Sequence, residues 1–348
     1  MACYITLMKY ILIINMFSSE EFVDLVKFIL KRILQVIPLI IIVSAISFFI
    51  IRLAPVDPLA ELRLNPSITE ETLQKEVKRL NLDKPIYIQY FYWAKSFVSF
   101  DLGYTSDGER VSVKLKERIP NTLLLTIIVI FLTWLAGIPL GIIAALNKET
   151  AIDRGLTVIS SIGMAIPSFF FAILLLLFAV KTGWFPAGGL TSYNFNEMNL
   201  FNKFIDIARH LVLPVVVLFT ISLSGLQRQM RANMLEVLDS DYVKFARAKG
   251  LSEFKVIFKH ALRNAVNPLI TLLGFEFAGL LSGAALTEYV FQYPGLGRLI
   301  LEAVMKSDIN LVMASLMMGT IMLIIGNLMA DILLMLTDPR TRKSQEVK

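Results

Sequence analysis

Cysteine and histidine are nearly missing from this 348-residue sequence, which has only Cys3, His210 and His260. One cysteine cannot build an internal disulfide framework, and one Cys with two His leaves no Cys/His zinc cluster. No Gly-x-x-x-x-Gly-Lys-Ser/Thr loop occurs, so the chain lacks the phosphate cradle of a P-loop ATPase. His-Glu-x-x-His and Gly-x-Ser-x-Gly are absent too. Charged residues make up 18%, against about 25% in an ordinary soluble chain. These gaps point away from an enzyme acting on its own, and no metal or cofactor is expected.

Apolar residues are in excess, at 56%, with a mean hydropathy of +0.66. The surplus is clumped into six runs: Ile33–Leu53, Thr122–Leu146, Gly155–Val180, His210–Leu226 (extendable by a polar turn), Ala265–Val290 and Ile309–Leu336. Each approaches or exceeds the roughly 20 residues that cross a bilayer's hydrocarbon core. Such segments must be helical, since nothing else satisfies the backbone within one segment. A barrel would need short alternating strands, whereas these runs are solid Leu, Ile, Val and Phe. The expected fold is an all-α polytopic membrane protein with six transmembrane helices.

The net charge of +6 sorts by topology. Lys27, Lys31 and Arg32 precede the first span, and Lys148 and Arg154 lie between the second and third. A dense basic group from Arg228 to Arg263 separates the fourth and fifth, and Arg340, Arg342 and Lys343 follow the sixth. All fall on one side if both termini are cytoplasmic, as the positive-inside rule asks. The long loop Ala54–Ile119 is then extracellular. Nucleic acid is not needed to explain the charge.

Residues 1–27 form an N-terminal segment in which Ile5–Phe17 is too short to span and lacks signal-peptide features. It reads either as an interfacial helix or as an extension ahead of a start at Met16. In the external loop, Asn65–Asp83 reads as a short helix capped by Ser67 or Thr69, with Glu70 and Glu71 in its first turn. Beyond it, Tyr87, Tyr90, Phe91, Tyr92, Trp93 and Phe97 suit a membrane interface; contact with substrate or an external protein is the other reading.

The inside loop 239–264 carries the densest pattern. Asp239, Ser240 or Asp241 can cap a helix that Gly250 ends. After the turn, Leu251, Phe254, Ile257, Phe258 and Ala261 recur at three- and four-residue spacing, an apolar stripe on a basic helix. Two readings fit: a helix lying on the membrane surface, or one docking in a groove of a cytoplasmic partner.

Ala246-x-x-x-Gly250 followed by His260-Ala261-Leu262-Arg263 resembles the signature loop of ABC importer permeases, in particular the dipeptide/oligopeptide/nickel branch. Other stretches agree in order and place: Ile119-Pro120-Asn121-Thr122, Ile166-Pro167-Ser168, His210-Leu211-Val212-Leu213-Pro214, Asp241-Tyr242-Val243, Ala246-Arg247-Ala248-Lys249-Gly250-Leu251 and Tyr293-Pro294-Gly295-Leu296-Gly297-Arg298. Together they cover about Phe28 to Arg340 and are specific, although most are weak singly. Lys244-Phe245-Ala246 replaces the wider family's Glu-Ala-Ala, and Arg263 its closing proline, as is common in this branch. Asn310 stands where proline is expected shortly after Asp308.

The resemblance implies a permease domain over 28–340, with external loop 54–119, a cytoplasmic coupling loop 239–264 and a cytoplasmic tail 341–348. It implies coupling to ATPase subunits through Asp241, Ala246, Ala248, Gly250, Leu251, Phe254, Ile257 and Phe258. The implied partners are a second homologous permease, two ATP-binding subunits and an extracellular substrate-binding protein, in a bacterial or archaeal cytoplasmic membrane. Peptide is favoured over nickel, because His210 and His260 fall at opposite membrane faces. The competing class is an ion-coupled secondary transporter, for which Glu276 would be the midplane carboxylate.

Glu276 lies near the middle of span five, where an acidic side chain costs on the order of 2.5–3.5 kcal/mol on insertion scales. It should face the bundle interior, a partner or water, either as a structural hydrogen-bonding group or in the translocation path. Gly137-x-x-x-Gly141 and Gly279-x-x-x-Gly283 allow close helix contacts, within the chain or between subunits. Pro139, Pro167 and Pro214 should kink or loosen spans two, three and four.

Overall fold

The computed structural model describes residues 19–53, 59, 63, 68–79 and 81–337. Ile5–Phe17, Ser67 and the tail 341–348 lie outside the described residues. The chain divides into two units, Met1–Ile50 and Ile51–Lys348. The first is represented by most of one helix, α1 (Ser19–Leu53), which continues through Pro38.

In the second unit α2 (Glu70–Arg79) and α3 (Ile86–Val98) precede α4 (Val111–Leu146). Thr69 caps α2, its hydroxyl accepting the Thr72 N–H at 3.3 Å. After α4 come α5 (Ala151–Ala165), α6 (Ser168–Thr182), a 3₁₀ turn at Phe195–Glu197 and α7 (Leu200–Leu238). Next are α8 (Asp241–Ala248), a single turn α9 (Glu253–Lys255), a π-helical turn (Val256–Ala261), α10 (Leu262–Val290), α11 (Leu296–Met305) and α12 (Ile309–Thr337). Among the described residues there is no strand, only an isolated bridge between Tyr104 and Arg110.

Among the described residues, four helices are long and apolar enough to cross a membrane: Lys27–Leu53, Val111–Leu146, Leu200–Leu238 and Ile309–Met335. The expected third span is not one straight helix. α5 and α6 meet at 94°. Pro167 drives the residue before it out of the helical region, so Ile166 (ψ 120°) and Pro167 (ψ 132°) are both extended. Pro139 and Pro214, by contrast, lie inside continuous helices.

The fourth run is also longer than its apolar stretch His210–Leu226. α7 has 39 residues, about 58 Å at helical rise. It continues because the polar residues flanking the run have partners. Asp206 accepts the Ser192 N–H at 2.8 Å, and Gln227 accepts from the Ser160 hydroxyl at 2.6 Å. Arg231 pairs with Asp153 through two bonds of 2.6 and 2.7 Å.

α4 and α7 pack against each other through Gly137 and Gly141. A Cβ at Gly137 would stand 2.9 Å from Leu226 Cδ2, and one at Gly141 would stand 2.5 Å from Met230 Cβ. This small-residue face is consumed by packing within the chain. Gly279 differs: a Cβ there would meet nothing within 4 Å. The surroundings of Gly283 lie outside the described residues.

Candidate functional site

The turn from α7 to α10 is built around one internal core. Ser240 precedes α8 in extended geometry, and its hydroxyl bonds back to the Val237 carbonyl at 2.5 Å. Val243 and Ala246, three residues apart on α8, point inward. Gly250 then turns the chain at φ +75°, a backbone state that glycine adopts without strain. Arg247 and Glu253 bridge the turn at 2.9 Å.

Beyond the turn the apolar stripe divides. In a π turn hydrogen bonds run to the fifth residue, so one extra residue enters and the inward face shifts. Val256, Ile257 and Ala261 face inward and share a core with Met230 and Met234 of α7, Ile142 of α4 and Ala265 of α10. Phe254 and Phe258 face out, 70% and 47% exposed, with ring centroids 4.6 Å apart. Phe245 of α8 is exposed as well, with the Lys249 ammonium 4.7 Å from its ring centroid.

The structure therefore separates the eight residues singled out in this loop. Ala246 and Ile257 are buried inside the chain; Asp241, Ala248, Gly250, Leu251, Phe254 and Phe258 are exposed. Buried Val243 and Val256 supply anchoring that the 3.6-residue period does not reveal. Asn233 of α7 adds a polar tie, donating to the Ala265 carbonyl of α10 at 3.1 Å. An exposed aromatic knuckle is thus joined directly to the cores of α4, α7 and α10.

Within the bundle, Glu276 accepts the indole N–H of Trp134 at 2.9 Å, linking α10 to α4. Its other oxygen is buried with no hydrogen-bond partner among the described residues.

At the far end of α10 sits a polar node centred on Glu288, a residue the sequence reading passed over. The Thr122 hydroxyl donates to Glu288 Oε1 at 2.8 Å and accepts the Leu296 N–H at 2.7 Å. The Arg298 N–H donates to Glu288 Oε2 at 2.9 Å. Tyr293 donates its hydroxyl to the Asn121 carbonyl, and Asn121 donates its amide to the Pro294 carbonyl, both at 2.8 Å. Burial, with the neighbouring Glu288 charge, pushes the Tyr293 phenol well above its ordinary range. A Cβ on Gly295 would collide with the Glu288 carboxylate, so any other residue there would displace it from its bonds. Two distant motifs, Ile119–Thr122 and Tyr293–Arg298, therefore form one joint. An acidic residue beside Tyr-Pro-Gly at a helix end was the available signal.

The same end carries an ion cluster. Asp107 meets Lys306 at 3.0 Å and Lys114 at 3.2 Å, and bonds from Lys306 and then Lys114 hold its carboxyl below the usual range. Asp308 opens α12, accepting the N–H groups of Leu311 at 3.0 Å and Ser106 at 2.7 Å. Asn310 donates to the Tyr104 carbonyl at 3.2 Å, a bond that proline could not make. Among the described residues no group of three His, Cys, Asp or Glu side chains is placed to hold a metal.

Residues 137–343 match the family described as "Binding-protein-dependent transport system inner membrane component", and residues 25–126 its N-terminal companion. The chain belongs to this family. As such a membrane component, it is 38% identical over 316 residues to the oligopeptide transport system permease protein AppB of Bacillus subtilis. That match spans 90% of this chain and 98% of the relative. It is 36% identical to the di/tripeptide transport system permease protein DppB of Pseudomonas aeruginosa, over 91% and 99% of the two chains. Its fold is similar to a chain of the MetNI methionine ABC transporter in an inward-facing conformation. The TM-score is 0.52 at 17% identity, covering 65% of this chain and 96% of that one.

Proposed function

We propose that this chain is a permease subunit of an ATP-driven, binding-protein-dependent peptide importer. The observation that carries the reading is the 38% identity, across nearly the whole length of both chains, to an oligopeptide permease. Counting the bent pair α5–α6 as one span and the 29-residue α10 as another, the four long helices bring the total to six. Both termini then face the cytoplasm, with the basic turn 239–264 beside them. The chain hydrolyses no ATP itself; two partner ATPase subunits do so. A second, similar permease completes the path, and an external binding protein delivers the peptide.

The Phe254–Phe258 knuckle is the docking element for the ATPase, aided by Leu251 and the first turn of α8. Ala246 and Ile257 act from behind, as part of the core through which displacement of the knuckle reaches α7 and α10. Rigid coupling of this kind suits alternating access, because a packed core moves as a body. Glu276 faces the path, held in place by Trp134.

Reconstitution with candidate ATPase and permease partners tests the reading, using labelled dipeptides, longer peptides and nickel as competing substrates. ATP-dependent peptide uptake is expected. Uptake driven by an ion gradient without ATP would overturn it.

A further inference from the structure

Helix α3, with the residues beside it, presents an apolar face to which the proposed function assigns no part. Tyr87 and Phe91 are each 66% exposed, and Val98 and Phe100 still more so. Tyr87, Phe91 and Val98 recur at four and seven residues and so share one side of the helix. Behind them Tyr90, Trp93 and Phe97 stack nearly parallel, with successive centroids 6.1 and 5.4 Å apart. That stack stiffens the helix and holds the exposed face in place.

Charge identifies the occupant. From Lys84 to Phe100 the only ionisable acids or bases of fixed charge are Lys84 and Lys95, with no carboxylate. Lys95 flanks the apolar face, and the Lys84 ammonium lies 4.6 Å from the Tyr92 ring centroid. An apolar aromatic face edged by lysines complements lipid acyl chains below and phosphates above. Thirteen residues span about 20 Å, too short to cross a bilayer but suited to lying along one.

Position agrees. The segment after α3 is tied to the start of α12 by the Ser106–Asp308 bond and to Lys306 by Asp107. On the membrane reading, such charges belong outside the hydrocarbon, at the ends of α4 and α12. We propose that α3 is a membrane-surface anchor, laying Tyr87, Phe91 and Val98 into the headgroup–acyl boundary with Lys84 and Lys95 at lipid phosphates. This rests on the reading of the chain as a membrane permease.

The full chain, with Cys3→Ser, is reconstituted in phosphatidylethanolamine–phosphatidylglycerol vesicles carrying a spin label at Phe91→Cys. Labels at Ile127→Cys on α4 and at the fully exposed Tyr193→Cys serve as hydrocarbon and water references. Collision with oxygen and with a water-soluble nickel chelate is measured. The Phe91 label should exclude the chelate severalfold more than the Tyr193 label while admitting oxygen. Chelate access equal to that at Tyr193 overturns the anchor. Shielding only after a binding protein or second permease is added also overturns it, in favour of a protein contact. Free chelate access at Ile127 instead strikes at the membrane reading itself.

Discussion

Thr122 and Glu288, 166 residues apart, share a buried hydrogen bond of 2.8 Å that joins α4 to α10. The same hydroxyl accepts the Leu296 N–H, so Thr122 satisfies a carboxylate and a backbone donor at once. Thr122→Val keeps the shape and removes both bonds. An unsatisfied buried group costs about 1–3 kcal/mol, so thermal unfolding in detergent should move to lower temperature. Thr122→Ser should restore most of the loss.

The aromatic knuckle separates docking from folding. Phe254→Ala with Phe258→Ala should leave the chain's thermal stability near wild type, since both rings are exposed. Association with the ATPase should weaken by about 2 kcal/mol or more per anchor, read by co-purification and titration. Ile257→Ala should do the reverse first, costing about 2–5 kcal/mol of chain stability through a core cavity. Unchanged ATPase binding in the double variant would return the knuckle to a membrane-surface role.

The two glycine pairs should respond differently. Gly141→Ala drives a methyl into Met230 and the Gln227 carbonyl, and should cost about 1–3 kcal/mol by forcing α4 from α7. Gly279→Ala meets open space within the chain and should stay within about 0.5 kcal/mol of wild type. Loss of permease pairing in the latter, at unchanged chain stability, would identify Gly279 as a subunit contact.

Glu276→Gln retains an acceptor for the Trp134 indole, so assembly should survive. Peptide uptake should fall if the carboxylate faces the path. Normal uptake would assign the residue to packing.

Asp107 should give the protein an acid limb. Its carboxyl is held below the ordinary range by Lys306 and Lys114, so its ion-pair contribution is present above about pH 4. It is lost as pH falls further through the depressed value. Asp107→Asn should remove that part of the pH dependence, measured as unfolding temperature against pH from neutral downwards.

Much was legible along the chain. Apolar run length places the long helices, because lipid and packed cores both demand internally bonded backbone. Gly250, between a short helix and a basic amphipathic segment, marks the turn that carries the exposed aromatics, although the Ser240 hydroxyl bonds back to Val237 and does not cap α8. What escaped has identifiable causes. Val256, Ile257 and Ala261 belong to a π turn, so the stripe that a 3.6-residue period draws as one face divides between core and surface. The length of α7 depends on partners for Asp206, Gln227 and Arg231 that lie on other segments.

Local order therefore sufficed for what depends on neighbours in sequence: the helical runs and the glycine turn, whereas of three prolines that read alike only Pro167 breaks its helix. Family motifs could be read as strings, but not why they are there. Only the folded chain brings Asn121 and Thr122 against Tyr293, Pro294 and Leu296, and only there does Glu288 acquire a purpose. Burial makes each of those polar groups costly unless a distant partner meets it, and no pattern within one segment can specify that partner.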